Sequence, residues 1–212
     1  MSTTPASAFA IRLLVSVMLF APIGTSPVSA QDADVSEAAI LNDPAAPVAG
    51  NPKGDLTVVT FFDYNCPFCK KAEPSLERLV KEDGHIRLVY KDWPILTKPS
   101  VYGAKLALAA KYQDKYDAVH GALMAIPGPK IPEDQMREAV RASGVDMNRL
   151  DGDLKIHADE ISELLKRNLA QADSLGLQGT PAYLVGHFKV TSALTYDGFK
   201  RAVAEARAQA EK

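Results

Sequence analysis

The sequence predicts an α/β sandwich interrupted by a block of helices, and three observations carry that prediction. The run Leu56 to Phe62 is β-branched and aromatic with little alternation, which is how a strand covered on both faces reads. It leads through a helical segment into a second strand, Ile86 to Lys91, and a strand, helix, strand connection implies parallel pairing. From about residue 99 to 176 the periodicity is helical alone, and beyond it come two short strands and a closing helix. The strands of the sheet therefore lie on both sides of an all-helical insertion.

Taken in order, residues 1–30 carry one charged side chain, Arg12, then the apolar run Leu13 to Phe20, then Pro22, Gly24 and Pro27 leading to Val28-Ser29-Ala30. That layout is a secretory signal with cleavage expected after Ala30. Its apolar core is too short for a membrane anchor, since a spanning helix needs about 20 residues. Residues 31–212 are then one domain, long enough for a real core and too short for two of ordinary size. The whole chain has a formal net charge of −2 and no basic block or aromatic-basic stripe, which argues against nucleic acid and polybasic membrane contacts.

Residues 31–56 read as a lead-in, with a helix-compatible patch from Val35 to Leu41 followed by Pro44, Pro47, Gly50, Pro52 and Gly54. After the first strand, Pro67 suits the first turn of a helix, where its missing N–H is not needed. Cys69, Ala72, Leu76, Leu79 and Val80 then recur at helical spacing up to Gly84, with Pro74 expected to kink the helix. The insertion, punctuated by Pro127-Gly128-Pro129 and Gly144, reads as three to five helices. Pro181 to Val185, a turn at Gly186-His187, a short strand from Phe188 to Thr191 and a helix from about Tyr196 close the chain.

Both cysteines of the chain sit in FDYNCPFCK, at Cys66 and Cys69, where the strand turns into the helix. As a structural staple a bridge this short does little, about 2 kcal/mol by the loop formula against nearly 5 for a 100-residue loop. A zinc site needs four ligands, and His85, His120, His157 and His187 are scattered singly. Position favours a redox reading over two inert thiols. Cys66 precedes Pro67 at a helix N-terminus, where free N–H groups and the helix dipole stabilise an anion, and the thiolate is the reactive form of cysteine. The dipole supplies about 0.3 to 2 kcal/mol, hence a drop of about a unit from roughly 8.5, with hydrogen bonds adding the rest. Phe68 cannot donate a hydrogen bond as a histidine would, so Cys66 is expected to be acidic but less extreme than the most oxidising exported dithiols, near 3.5. Cys69, one turn into the helix, is expected to be poorly exposed and to resolve mixed disulfides formed at Cys66.

The stretch FFDYNCPFCKKAEP, with Gln178-Gly179-Thr180-Pro181-Ala182-Tyr183 after the helical insertion, resembles the DsbA family of exported thiol-disulfide oxidoreductases, a branch of the thioredoxin fold. The resemblance covers nearly all of residues 41–210, and Pro74 matches the helix-kinking proline of thioredoxin-like proteins. It implies a thioredoxin-like fold whose helical insertion separates the CxxC half from a cis-Pro half. It further implies Cys66 and Cys69 as catalytic residues and a cis Pro181 packed beside them. Thr180 would offer backbone groups to an incoming extended chain, with Pro67 and Phe68 as further substrate-binding positions. No metal or organic cofactor is implied. The implied partners are exported cysteine-containing proteins and a membrane redox protein of the DsbB or DsbD type that resets the pair, in the periplasm, with the protein a monomer.

Two departures from that family pattern stand out. Thr60, six residues before Cys66, occupies a position where relatives commonly carry a buried Glu, so proton handling under the pair is open. Phe68 replaces the His of the best-known members, which leaves the reduction potential open. Lys91 would be the usual kind of partner for such a buried acid, but a solvated lysine at a strand end is an equal reading. Asp63 terminates the strand, His157 and His187 read as surface or turn residues, and Trp93 is expected near the active-site face.

A dithiol oxidase is the leading expectation, because only about 25 residues separate Ala30 from the first strand, too few for the oligomerisation segment that isomerases carry. A reductase or isomerase linked to copper tolerance is the alternative. A Cu(I)-binding thiol protein is a third reading, since two thiolates suit Cu(I). Met124, Met136 and Met147, however, fall at helix-core or helix-surface spacings and form no cluster beside the cysteines.

Overall fold

Among the described residues five strands form one mixed sheet: β1 (Val48–Gly50), β2 (Leu56–Phe62), β3 (Ile86–Asp92), β4 (Ala182–Val185) and β5 (Phe188–Val190), in the spatial order β1-β3-β2-β4-β5. The computed structural model describes residues 1–3 and 33–210, so the expected export signal lies, apart from its first three residues, outside the described residues. β2 and β3 pair in parallel from Leu56↔Ile86 to Phe62↔Asp92, as the strand, helix, strand connection requires. The outer pairings, β1 with β3, β2 with β4 and β4 with β5, are antiparallel. Ala33–Lys212 packs as one unit. Among the described residues no helix is long and apolar enough to cross a membrane.

Helix α1 spans Glu37–Leu41 and α2 spans Pro67–Asp83. α2 starts where the sequence says it must, with Cys66 as N-cap and Pro67 at the first position, and runs on through Pro74. It stops at Gly84, whose φ of 69° is the left-handed conformation that a helix C-terminus takes most readily with glycine. The insertion holds α3 (Lys98–Ala110), a 3₁₀ turn (Lys111–Gln113), α4 (Tyr116–Ala125), α5 (Glu133–Ala142), α6 (Met147–Ile156) and α7 (Ala158–Ser174), and α8 (Tyr196–Ala210) closes the chain.

Side-chain alternation divides the core between the two faces of the sheet. Val58 and Phe62 of β2 and Leu88 and Tyr90 of β3 join the cysteines, α2, α8 and most of the insertion in one cluster. Val59 and Phe61 of β2 and Val89 of β3 join Ile40 of α1, Ala172 of α7 and Trp93 in the other. Burial on both faces explains why β2 shows no apolar-polar alternation in sequence.

Three readings need correction. The lead-in contains a strand, β1, which the Pro- and Gly-rich sequence hid. Lys91 is not solvated: it is 0% exposed, and its Nζ donates to Asp43 Oδ2 at 2.8 Å. Its odd position in β3 places it on the sheet face away from the cysteines, so it could not partner an acid at position 60. Trp93 also belongs to that far face, edge-on to Phe61.

Candidate active site

The loop between β2 and α2 is held from three sides. Asp63 accepts from Asn65 N at 2.7 Å and from Leu96 N at 2.9 Å, so it shapes the turn and ties it to the chain leaving β3. The Asn65 amide donates to Thr97 Oγ1 (2.9 Å) and Ser100 Oγ (3.2 Å) at the start of α3, and its carbonyl accepts from Ile131 N before α5. Because Asn65 is buried, each of those bonds is worth more than it would be in water. The insertion thereby fixes the position of the residue preceding Cys66. The reading of Asp63 as a strand terminator was too small, and Asn65 was missed because a lone Asn before a helix usually signals only a cap or turn.

The structure brings together Cys66, Cys69, Thr180 and Pro181 from opposite ends of the sequence. The Thr180-Pro181 peptide is cis. Cys66 Sγ donates to the Thr180 carbonyl at 3.2 Å and accepts from Cys69 N at 3.3 Å, so the N-cap side chain of α2 is a sulfur. Both cysteines are free thiols and each is 2% exposed, whereas Phe68 between them stands out at 63%. A cleft of about 680 Å³ runs along Phe68, Gln178, Gly179, Thr180 and Pro181 toward Thr191. Pro67 faces the other way, into a second cleft of about 400 Å³ between α2 and α4.

The two thiols are driven apart electrostatically. Cys66 is lowered to about 6, chiefly by a hydrogen bond from Cys69, against the opposing effect of burial and with help from Thr180 and the backbone N–H groups of Cys69 and Phe68. Thr180 Oγ1 has no hydrogen-bond partner in this dithiol form, so its help arises once a thiolate at Cys66 gives the buried hydroxyl something to donate to. Cys69 is pushed far above the usual thiol range, first by burial and then by its hydrogen bond and charge relation to Cys66. One sulfur is therefore ready as nucleophile and leaving group at neutral pH, and the other is held protonated until a bond forms or breaks at it.

With that geometry, the thioredoxin family profile matches residues 42–205. The chain belongs to the thioredoxin family. Within this family, a thioredoxin-like oxidoreductase from Silicibacter pomeroyi is 40% identical with a TM-score of 0.77, covering 82% of this chain and 98% of that one. A periplasmic thioredoxin-like protein from Salmonella enterica is 30% identical (TM-score 0.70; 81% and 95% covered). The thiol-disulfide exchange protein alpha-DsbA2 of Wolbachia pipientis is 27% identical (TM-score 0.74; 79% and 90% covered). The DsbA-like resemblance read in the sequence is thus matched in three dimensions. Among curated relatives, a Na(+)/H(+) antiporter NhaA 1 of a Mycobacterium species is 27% identical over 65% of this chain, and the thioredoxin-family chain spans about a quarter of the length of that relative, 23%. A probable disulfide bond formation protein D of Bacillus cereus is 26% identical over 73% of this chain and 75% of its own length.

Below the loop lies a group of residues that the sequence reading passed over. His120 of α4, 1% exposed, contacts Tyr64 Oη through Nδ1 (3.0 Å) and Glu73 Oε1 through Nε2 (3.1 Å). Asp92 is buried on the same face, accepts from Tyr116 Oη at 2.8 Å, and is raised by burial to about 6. Thr60 is buried there too and contributes no carboxyl. Among the described residues no cluster of three or more His, Cys, Asp or Glu side chains is placed to hold a metal ion.

Proposed function

We propose that the protein is a periplasmic thiol-disulfide oxidoreductase that passes its Cys66-Cys69 disulfide to exported cysteine-containing proteins, acting as a monomeric dithiol oxidase. The observation that carries this reading is the pairing of an acidic Cys66, capping α2 and seated against the Thr180 carbonyl, with a buried, protonated Cys69. A substrate thiolate attacks Cys66 Sγ, the Cys66–Cys69 bond breaks with its electrons on Cys69, and a second substrate cysteine releases the mixed disulfide. A low thiol pKa at Cys66 favours the reduced form, which is what makes the disulfide a strong oxidant. The cleft along Phe68, Gly179, Thr180 and Pro181 offers backbone groups and an exposed aromatic ring to an extended substrate segment. A membrane redox protein of the DsbB or DsbD type would restore the disulfide.

Oxidation of a two-cysteine peptide, with Cys66→Ser as control, tests the exchange activity: the substitution is expected to abolish it, and activity that survives it overturns the reading. The equilibrium reduction potential tests direction. A value toward about −120 mV supports the oxidase, and one near about −270 mV assigns the protein to reductive work.

A further inference from the structure

Whichever way the disulfide is passed, Cys69 must change protonation at each turnover, and burial makes its thiolate costly to hold. No acid stands at position 60 to exchange that proton. The buried acid nearest along the helix is Glu73, four residues after Cys69 on α2 and on the same helical face, about 5–6 Å away between Cβ atoms. Tyr183 of β4, on the same face of the sheet as the cysteines, is raised first by burial and then by the charges of Cys69, Glu73 and Cys66.

Resting on the exchange function proposed above, we propose that Glu73 and His120 are a buried proton store that serves Cys69 in place of the missing acid at position 60. His120 is bound on both ring nitrogens, so its orientation is fixed, and its Nε2 addresses the Glu73 carboxylate. Burial pulls the imidazole toward neutrality, but the hydrogen bond and charge of Glu73 outweigh it and raise its pKa, as the Glu77 and Asp92 charges also do. The charged and titratable groups around the ring are therefore Tyr64 from the loop, Glu73 and Glu77 from α2, Tyr90 and Asp92 from β3, and Tyr116 and Asp117 from its own helix. Lys81 of α2 lines a cleft with the ring and opposes them, outnumbered by the carboxyls of Glu73, Glu77, Asp92 and Asp117.

The store has outlets. Glu73 and Glu77 line the second cleft between α2 and α4, and His120, Glu77 and Asp117 line another between the same helices and β1 and β3, of about 280 Å³. Glu77 borders both, and burial together with the Glu73 charge raises its pKa, which suits it to pass protons to water.

In the oxidising direction the substrate thiolate forms a bond to Cys66 Sγ, the Cys66–Cys69 bond breaks, and Cys69 leaves with the electron pair. Cys69 then takes a proton from the Glu73-His120 pair, which refills from solvent past Glu77. In reverse Cys69 returns its proton to the pair as its sulfur attacks Cys66 Sγ of the mixed disulfide and expels the substrate as a thiolate. Glu73 and His120 touch neither substrate nor Cys66, and they act on the exchange by passing a proton to and from Cys69.

The test is single-turnover reduction of the oxidised full-length protein by dithiothreitol from about pH 5 to 8, with rates expressed per dithiothreitol thiolate. In the wild type the rate falls about a hundredfold as pH rises and the store empties, the lower end of general acid catalysis. Glu73→Gln removes the carboxylate that raises the His120 pKa, so its rate is expected to be flat and to lie at the high-pH level throughout, while the Cys66 titration stays in place. A Glu73→Gln profile that keeps the wild-type slope, with only thermal stability lowered, makes the network structural and overturns the proposal. If that variant does not fold, the wild type decides alone: the His120 ring resonances must titrate differently in the oxidised and reduced forms, and identical titrations overturn the proposal. The two readings fail separately. Absent peptide oxidation with an intact dithiothreitol profile removes the oxidase and leaves the proton store, and a flat wild-type profile with peptide oxidation intact does the reverse.

Discussion

Each face of the sheet buries charge, and the two faces do it in opposite ways. On the far face Asp43 accepts from Lys91 Nζ (2.8 Å) and from Arg167 Nε and Nη2 (3.0 and 3.1 Å), so one carboxylate is saturated by two cations that tie the lead-in to β3 and α7. Burial alone would raise Asp43, but the Arg167 and Lys91 hydrogen bonds win and lower it to about 2. On the cysteine face Asp92 has one phenol donor and an oxygen, Oδ1, without a partner among the described residues, while Glu73 shares a histidine. Charge locked by full pairing holds a structure in place, whereas charge left partly paired can change protonation near neutral pH. The thiols stand on the second kind of face.

The largest expected effect lies on the locked face. Asp43→Ala leaves Lys91 buried without its counter-ion and is expected to cost about 3–5 kcal/mol, a drop in Tm of order 10 °C. The Cys66 pKa should be unmoved, and a shift in it would end the separation between the faces. Replacing Asp43 and Lys91 together by Leu and Met should recover most of that loss, since an apolar pair removes the stranded charge.

Next in size is the pH profile of stability, in which the two faces pull in opposite directions. Asp43 is lower when folded (about 2) than its ordinary 3.8, so its contribution is present above about pH 4 and is lost as pH falls toward 2. Asp92 is higher when folded (about 6), so the protein loses roughly 2–3 kcal/mol as pH rises from about 4 to 6 and stays lower above that. Chemical denaturation across pH 2–7 should therefore show a maximum near pH 4, and Asp92→Asn should flatten only the upper limb. A lower limb that changes in Asp92→Asn would couple the two faces.

Smaller is the effect of Thr180→Val. It deletes the buried hydroxyl that helps hold the Cys66 pKa down, and that pKa should rise by about one unit, equivalent to about 1.4 kcal/mol, with little change in Tm. An unchanged pKa would leave the thiolate resting on Cys69 and the helix N-terminus alone.

The cysteine face was legible in sequence wherever its residues are local or carry a motif. Cys66, Pro67 and Cys69 announce a helix start, and Thr180-Pro181 is recognisable by its surroundings, although nothing in the chain brings the two segments together until the sheet pairs β2 with β4. The far face was not legible. A lysine in a strand reads as solvated, and the partner that buries Lys91 is Asp43, 48 residues earlier in a segment that looked like a linker. His120 was passed over for the same reason: one histidine on a helix carries no pattern, and its partners Tyr64 and Glu73 sit 56 and 47 residues away. The signal that could have found Glu73 is its spacing of four from Cys69, which places an acid on the face the resolving thiol occupies.

The account rests most on the inequality of two sulfurs in one turn of helix, and ultraviolet thiolate absorbance of the reduced protein, titrated with Cys69→Ser as reference, measures it directly. The account predicts one thiolate appearing with a midpoint near 6, assigned to Cys66, and none from Cys69 across the ordinary thiol range around about 8.5. Two thiolates titrating together around about 8.5 would contradict it.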